Sequence, residues 1–175
     1  IGGLPVVQAN PAVSFDGSNS TDDAIQIIDG TGTRVSGLSI YDFGISSAII
    51  VRDSASGCQV WGNHIGTDAA GAFGYNNLAG IVALGSSWNV IGGRRTWHRN
   101  VACANDTAGI ALAGGSFFNS VLGNFVGTDA LGLTSIPNGY GVFVTDTSML
   151  NLIGDTLEAR NLISGNDDAG VAFND

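Results

Sequence analysis

Gly80-Ile81-Val82-Ala83-Leu84 is a small residue followed by a short apolar strand. The pattern returns as Gly109-Ile110-Ala111-Leu112, Gly141-Val142-Phe143-Val144 and Gly170-Val171-Ala172-Phe173. Upstream it reads Ala48-Ile49-Ile50-Val51 and, one shorter step earlier, Ala24-Ile25-Gln26-Ile27. Ile49, Ile81, Ile110, Val142 and Val171 stand 32, 29, 32 and 29 residues apart. Self-similarity at such a step marks a repeat architecture.

Two more apolar runs follow within each step. The middle series includes Arg34-Val35, Gln59-Val60, Val90-Ile91, Ser120-Val121 and Leu152-Ile153. The third includes Ser39-Ile40, His64-Ile65, Val101-Ala102, Phe125-Val126 and Leu162-Ile163. Strands this short do not make a free-standing sheet. Stacked on their counterparts one coil away, they form three parallel sheets with strands about 4.8 Å apart. No coil buries its own apolar face, so the stack supplies the stability. The fold class is therefore all-β, a right-handed parallel β-helix of about five coils with three short strands each. One domain is expected over 1–175: a partial coil or cap at 1–23, five coils at 24–169, and the start of a further coil at 170–175.

Side chains alternate along a strand, so every second residue points into the core. The first strands then bury Ile25/Ile27, Ile49/Val51, Ile81/Ala83, Ile110/Leu112, Val142/Val144 and Val171/Phe173. Asn63, Asn100, Asn124 and Asn161 share one position at the turn into the third strand, where amide side chains stack as a hydrogen-bonded ladder. Asn89, Asn119 and Asn151 form a second row, with Thr33, Leu38 and Cys58 interrupting the rows in earlier coils. A longer period of 61 residues overlays the coils. It carries Gly62-Asn63 with Gly66-Thr67-Asp68-Ala69 onto Gly123-Asn124 with Gly127-Thr128-Asp129-Ala130, and Arg99-Asn100 onto Arg160-Asn161. Extended turns consequently alternate between the corner after the third strand and the corner after the second.

Composition agrees with strands joined by tight turns. Fourteen of the fifteen acids are Asp, Lys is absent, and there are 27 glycines. A helical chain draws instead on Glu, Lys, Leu and Ala. The formal charge of −9 and six arginines argue against nucleic acid as a partner. No apolar run has the length of a membrane span. Ile1 opens no signal-peptide pattern, which points to a mature or excised chain. Cys58 and Cys103 fall on different strands and read as free buried thiols rather than a disulfide.

The phrases Asn89-Val90-Ile91-Gly92-Gly93, Gly123-Asn124-Phe125-Val126-Gly127-Thr128-Asp129 and Asn161-Leu162-Ile163-Ser164-Gly165-Asn166 resemble the right-handed β-helix repeats of large bacterial secreted and cell-surface proteins, a pectate-lyase-like superfold. Phe15-Asp16-Gly17-Ser18-Asn19 resembles the segment that precedes such repeats. The resemblance spans nearly the whole chain and implies a secreted or cell-surface location. The same coil carries adhesins, polysaccharide-cleaving enzymes and modules without activity, so function must come from a site.

A polysaccharide lyase of this fold needs clustered acids holding calcium and an Arg or Lys base; a hydrolase needs two facing carboxylates. Asp22, Asp23, Asp106, Asp167 and Asp168 are the turn acids that could serve as calcium ligands, against the plainer reading of solvated turn caps. They do not assemble a catalytic constellation in the sequence, and no catalytic residue is assigned. Asp68 and Asp129 read as turn formers. The least repeat-like stretch is Arg94-Arg95-Thr96-Trp97-His98-Arg99, in which Arg94, Arg95, Trp97 and His98 are the candidate ligand-binding residues. A ring beside guanidinium groups suits a sugar bearing carboxylate or sulfate. The plainer reading pairs Arg94 or Arg95 with Asp155 or Glu158 and treats Arg99 and Arg160 as structural. His64 reads as an outward-pointing surface histidine. The outward face of the first strands carries Ile50, Val82, Leu84, Ala111, Phe143 and Ala172, an apolar strip suited to self-association or docking.

The expected function is a non-catalytic structural or adhesive module that contacts polysaccharide through its lateral face. The alternatives are a polysaccharide lyase or glycoside hydrolase fragment, and a unit that self-assembles end to end through an open strand edge.

Overall fold

A computed structural model describes residues 10–174 as a parallel β-solenoid of about six turns. Residues 1–9 of the expected N-terminal cap, and Asp175, lie outside the described residues. The first sheet stacks six strands: Ile25–Ile28, Ser47–Arg52, Ala79–Leu84, Ala108–Ala113, Tyr140–Thr145 and Ala169–Asn174. The middle sheet stacks Arg34–Ser36, Gln59–Trp61, Val90–Gly92, Ser120–Leu122 and Leu152–Ile153. The third stacks Val13–Asp16, Leu38–Tyr41, His64–Ile65, Val101–Ala102, Phe125–Val126 and Leu162–Ile163. The turn count exceeds the expected five because Val13–Asp16 already pairs with Leu38–Tyr41, and Ala169–Asn174 adds a sixth strand to the first sheet.

Register follows the alternation. Ile49 pairs with Ile81, Ile81 with Ile110, Ile110 with Val142, and Val142 with Val171. Val35, Val60, Ile91, Val121 and Ile153 align in the middle sheet, and Ile40, Ile65, Ala102, Val126 and Ile163 in the third. A one-residue slip would turn each row outward, so the buried face fixes the register. The rows from Ile49 to Val142 merge into one aliphatic core.

Each corner is satisfied by its own polar ladder. Asn63 Nδ2 donates to Asn100 Oδ1, Asn100 to Asn124 and Asn124 to Asn161, at 2.9–3.2 Å. Asn89, Asn119 and Asn151 repeat this at the corner before the middle sheet. Where the rows are interrupted, the ladder caps the backbone instead: the Cys58 N–H donates to Asn89 Oδ1 and the Leu38 N–H to Asn63 Oδ1. A third ladder, Asn77–Asn105–Asn138–Asn166, occupies the remaining corner. Its 61-residue signal is present in the sequence as Asn77/Asn138 and Asn105/Asn166.

Tight corners demand left-handed backbone. Gly66 has φ 78°, and a β-carbon there would lie 1.8 Å from the Cys103 carbonyl oxygen of the next coil. Both cysteines are free and buried, and burial pushes the Cys103 thiol up to about 12. More unusual are Trp88, Phe118 and Leu150, which take φ of 57°, 54° and 57°. Gly32 and Gly57 hold the equivalent position upstream. Bulky residues are rare in this region of backbone space.

Candidate functional site

Two extended turns, 93–99 and 155–160, leave the solenoid at the same corner two coils apart. Each contains one turn of 3₁₀ helix, Thr96–His98 and Leu157–Ala159. Between them lies a recess of about 660 Å³ bordered by Arg95, Arg99 and Arg160, with Glu158 the acid on its lining and Phe125 on its wall. Four of the chain's six arginines therefore sit on these two turns, in a molecule of net charge −9.

The guanidiniums are held in different ways. Arg94 pairs with Asp155 across the two turns, an exposed ion pair worth little by itself. The Arg95 guanidinium lies 5.0 Å from the Trp97 ring centre. Arg99 lies 3.8 Å over the Phe125 ring, a cation–π contact that fixes its direction. Burial, and after it the positive charge of Arg160, lower the basicity of Arg99. His98 packs against Trp61, with ring centres 4.9 Å apart, and edge-on against Trp97. Burial and then the charge of Arg95 push the His98 imidazole below its ordinary value, favouring the neutral form. A smaller recess of about 330 Å³ adjoins on the other side of Arg95, lined by Trp61, Arg94 and His98.

Of the residues expected at this site, Arg94, Arg95 and His98 do line the paired recesses. Trp97 projects half-exposed beside Arg95. Arg99 and Arg160, expected to be purely structural, line the larger recess. Their recurrence at 61 residues was the available signal, because it places both at one corner.

The outward strip of the first sheet is less open than alternation implies. Ile50 is buried, and Val82, Leu84, Ala111, Phe143 and Ala172 are partly covered. Close strand spacing lets neighbouring side chains shield one another, and Tyr140 stacks on Phe143 at 4.8 Å. The larger exposed apolar surface is a ridge at the corner before the middle sheet, formed by Trp88, Phe117, Phe118, Met149 and Leu150. Trp88 and Phe118 stack there at 4.4 Å.

His64 corrects the surface reading. It does point away from the core, but it is 1% exposed, because the turn after its strand folds back over it. A β-carbon on Gly71 would stand 3.1 Å from the imidazole. The Thr67–Gly74 and Thr128–Ser135 bridges give both such turns the same folded-back shape. Asp68 and Asp129 hold them shut, accepting backbone N–H groups of Ala72 and Phe73, and of Leu133 and Thr134.

The turn acids are scattered. Asp23 Oδ1 accepts the Ser47 N–H at 2.7 Å. Asp22 belongs to the same terminal turn. Asp106 and Asp167 line a common recess of about 310 Å³, where the Asn76 amide donates to both oxygens of Asp106. The Asp168 N–H donates to Gly139. Among the described residues, no three His, Cys, Asp or Glu side chains gather as a metal cluster. Nor is any helix long and apolar enough to cross a membrane.

Comparison with family models, curated proteins and solved structures finds no match to this chain.

Proposed function

We propose that this chain is a non-catalytic structural or adhesive module of a secreted or cell-surface protein, and that it contacts glycans through the recess between its 93–99 and 155–160 turns. The observation that carries this reading is the gathering of Arg95, Arg99 and Arg160 around one recess, with aromatic rings beside two of them. Guanidinium forks recognise carboxylate and sulfate by paired hydrogen bonds, and aromatic walls give the apolar faces of sugar rings a surface. The ladders and close-packed core make the rest of the molecule a rigid support, as a preorganised binding surface needs.

The test incubates the chain with a panel of acidic and neutral polysaccharides and measures both retention and release of reducing or unsaturated ends. The reading expects retention without release. Product from any substrate replaces it with a polysaccharide-cleaving enzyme. Absence of retention across the panel overturns glycan contact.

A further inference from the structure

We infer that two copies of this chain pair through the apolar ridge at the corner before the middle sheet, antiparallel about a two-fold axis at Phe118. The ridge is a change of character in one corner along the stack. Thr31, Ser56, Ser87, Phe117 and Met149 are successive rungs of a single bridged row. Gly32, Gly57, Trp88, Phe118 and Leu150 follow them in sequence. The first two rungs are small, and their turns carry Asp29, Arg34, Arg52 and Asp53. The turns of the last three, 85–89, 114–119 and 146–151, hold Asp146 as their one charged residue.

Trp88, Phe118 and Leu150 keep φ of 57°, 54° and 57° where glycine serves upstream. Within one copy they gain little from it, since Trp88 and Leu150 are 58% and 66% exposed. Backbone held in a sparsely populated region without local reward points to a function for the side chain. The area is enough for that function. At the about 150–250 Å² of a large side chain, the exposed fractions of the five ridge residues leave roughly 500 Å² open per copy. Two such faces come to about 1,000 Å², the lower end of a specific interface and the size of a weak dimer.

Charge sets the direction of pairing. Two parallel copies would set Asp53 against Asp53 and Asp146 against Asp146. Antiparallel, Trp88 meets the partner's Leu150, and Phe118 meets its own counterpart. Asp146 then faces the partner's uncharged 85–89 turn, and Asp53 lies past the partner's ridge. Both ridges step by the same strand spacing, about 4.8 Å, so their rungs stay in register. The contact is isologous and closes at two copies.

Sedimentation equilibrium across micromolar to millimolar chain tests the inference. A dimer is expected with a dissociation constant of about 100 μM. Raising the salt is expected to tighten it severalfold, because it screens the repulsion between two copies of charge −9. Phe118→Asp, a residue that tolerates left-handed backbone, sets two carboxylates at the axis and is expected to weaken the dimer at least about tenfold. Leu150→Asn is expected to weaken it about threefold while leaving the monomer folded. Leu133→Asn, 82% exposed on the turn after the third sheet, is expected to change nothing. A mixture of Trp88→Cys and Leu150→Cys is expected to cross-link as the mixed pair under mild oxidation. Self-paired products of each instead overturn the antiparallel arrangement. A monomer at every concentration overturns the inference, and its capture by phosphatidylcholine vesicles would make the ridge a lipid-facing surface. A dimer indifferent to Phe118→Asp, or weakened equally by Leu133→Asn, overturns it as well.

Discussion

Asn124 Oδ1 accepts two hydrogen bonds from Asn100, one from its side-chain amide at 2.9 Å and one from its backbone N–H at 3.2 Å. Asn124 Nδ2 donates in turn to the Ile91 carbonyl at 2.9 Å. One side chain thus satisfies three polar groups of the preceding coil in a site with no access to water. Asn124→Ala orphans those partners at once, and each buried unsatisfied group costs about 1–3 kcal/mol. The expected loss is about 3–5 kcal/mol, read as a shift of the urea midpoint. Asn151→Ala, at the partly exposed end of its ladder, is expected to cost about 1 kcal/mol.

Gly66 and Gly37 share a left-handed backbone but differ in space. A β-carbon on Gly66 meets the Cys103 carbonyl, whereas one on Gly37 meets nothing within 4 Å. Gly37→Ala is expected to cost about 1 kcal/mol from backbone conformation alone. Gly66→Ala adds a clash that the stacked coil cannot relieve. A larger loss of thermal stability for Gly66→Ala than for Gly37→Ala checks this; equal losses contradict the close approach.

His64 makes the fold sensitive to acid. Burial pushes its imidazole below the ordinary 6.5, against the opposing influence of the Asp68 and Ala69 carbonyls and the Asp68 carboxylate. Neither ring nitrogen has a hydrogen-bond partner. The folded state therefore prefers neutral His64, while the unfolded chain protonates near 6.5. Stability is complete above that value and declines as pH falls below it toward the folded-state pKa. His98 shifts in the same direction but is less buried. His64→Leu is expected to flatten most of the decline between pH 7 and 5 in urea titrations; an unchanged slope would contradict the buried, neutral histidine.

Leu150 is 66% exposed and sits at φ 57°. It buries little and strains its backbone. Leu150→Asn, a residue that tolerates this conformation, is expected to raise stability by about 1 kcal/mol. A loss in chemical denaturation would mean that the apolar ridge contributes more to folding than its exposure implies.

The sheets were legible because burial enforces a period of two: Ile81, Ile110 and Val142 announce their register by recurring. Two of the three asparagine ladders were legible by the same recurrence, and the third, Asn77–Asn105–Asn138–Asn166, was not. What else escaped depends on chain that does not repeat every coil. The covering of His64 follows from how the 69–74 turn folds back, which Asp68 fixes by accepting N–H groups within the turn and Gly71 by its close approach to Ala130, far along the chain. Arg99 and Arg160 recurred visibly, yet the recess between them exists only because both turns project side by side. Sequence placed the ligand candidates on one loop and paired Arg94 or Arg95 with Asp155 or Glu158 of the other; the structure forms the Arg94–Asp155 pair and adds Arg99 and Arg160 to the recess between the loops.

The proposed glycan contact is tested most directly by mapping backbone amide shifts while trigalacturonate is titrated into the labelled chain. Shifts are expected to concentrate at residues 92–99, 122–125 and 157–162, with the larger changes near Arg99 and Arg160. No shifts at saturating ligand, or shifts centred on the Asp106–Asp167 recess or the outward strip of the first sheet, would contradict the site.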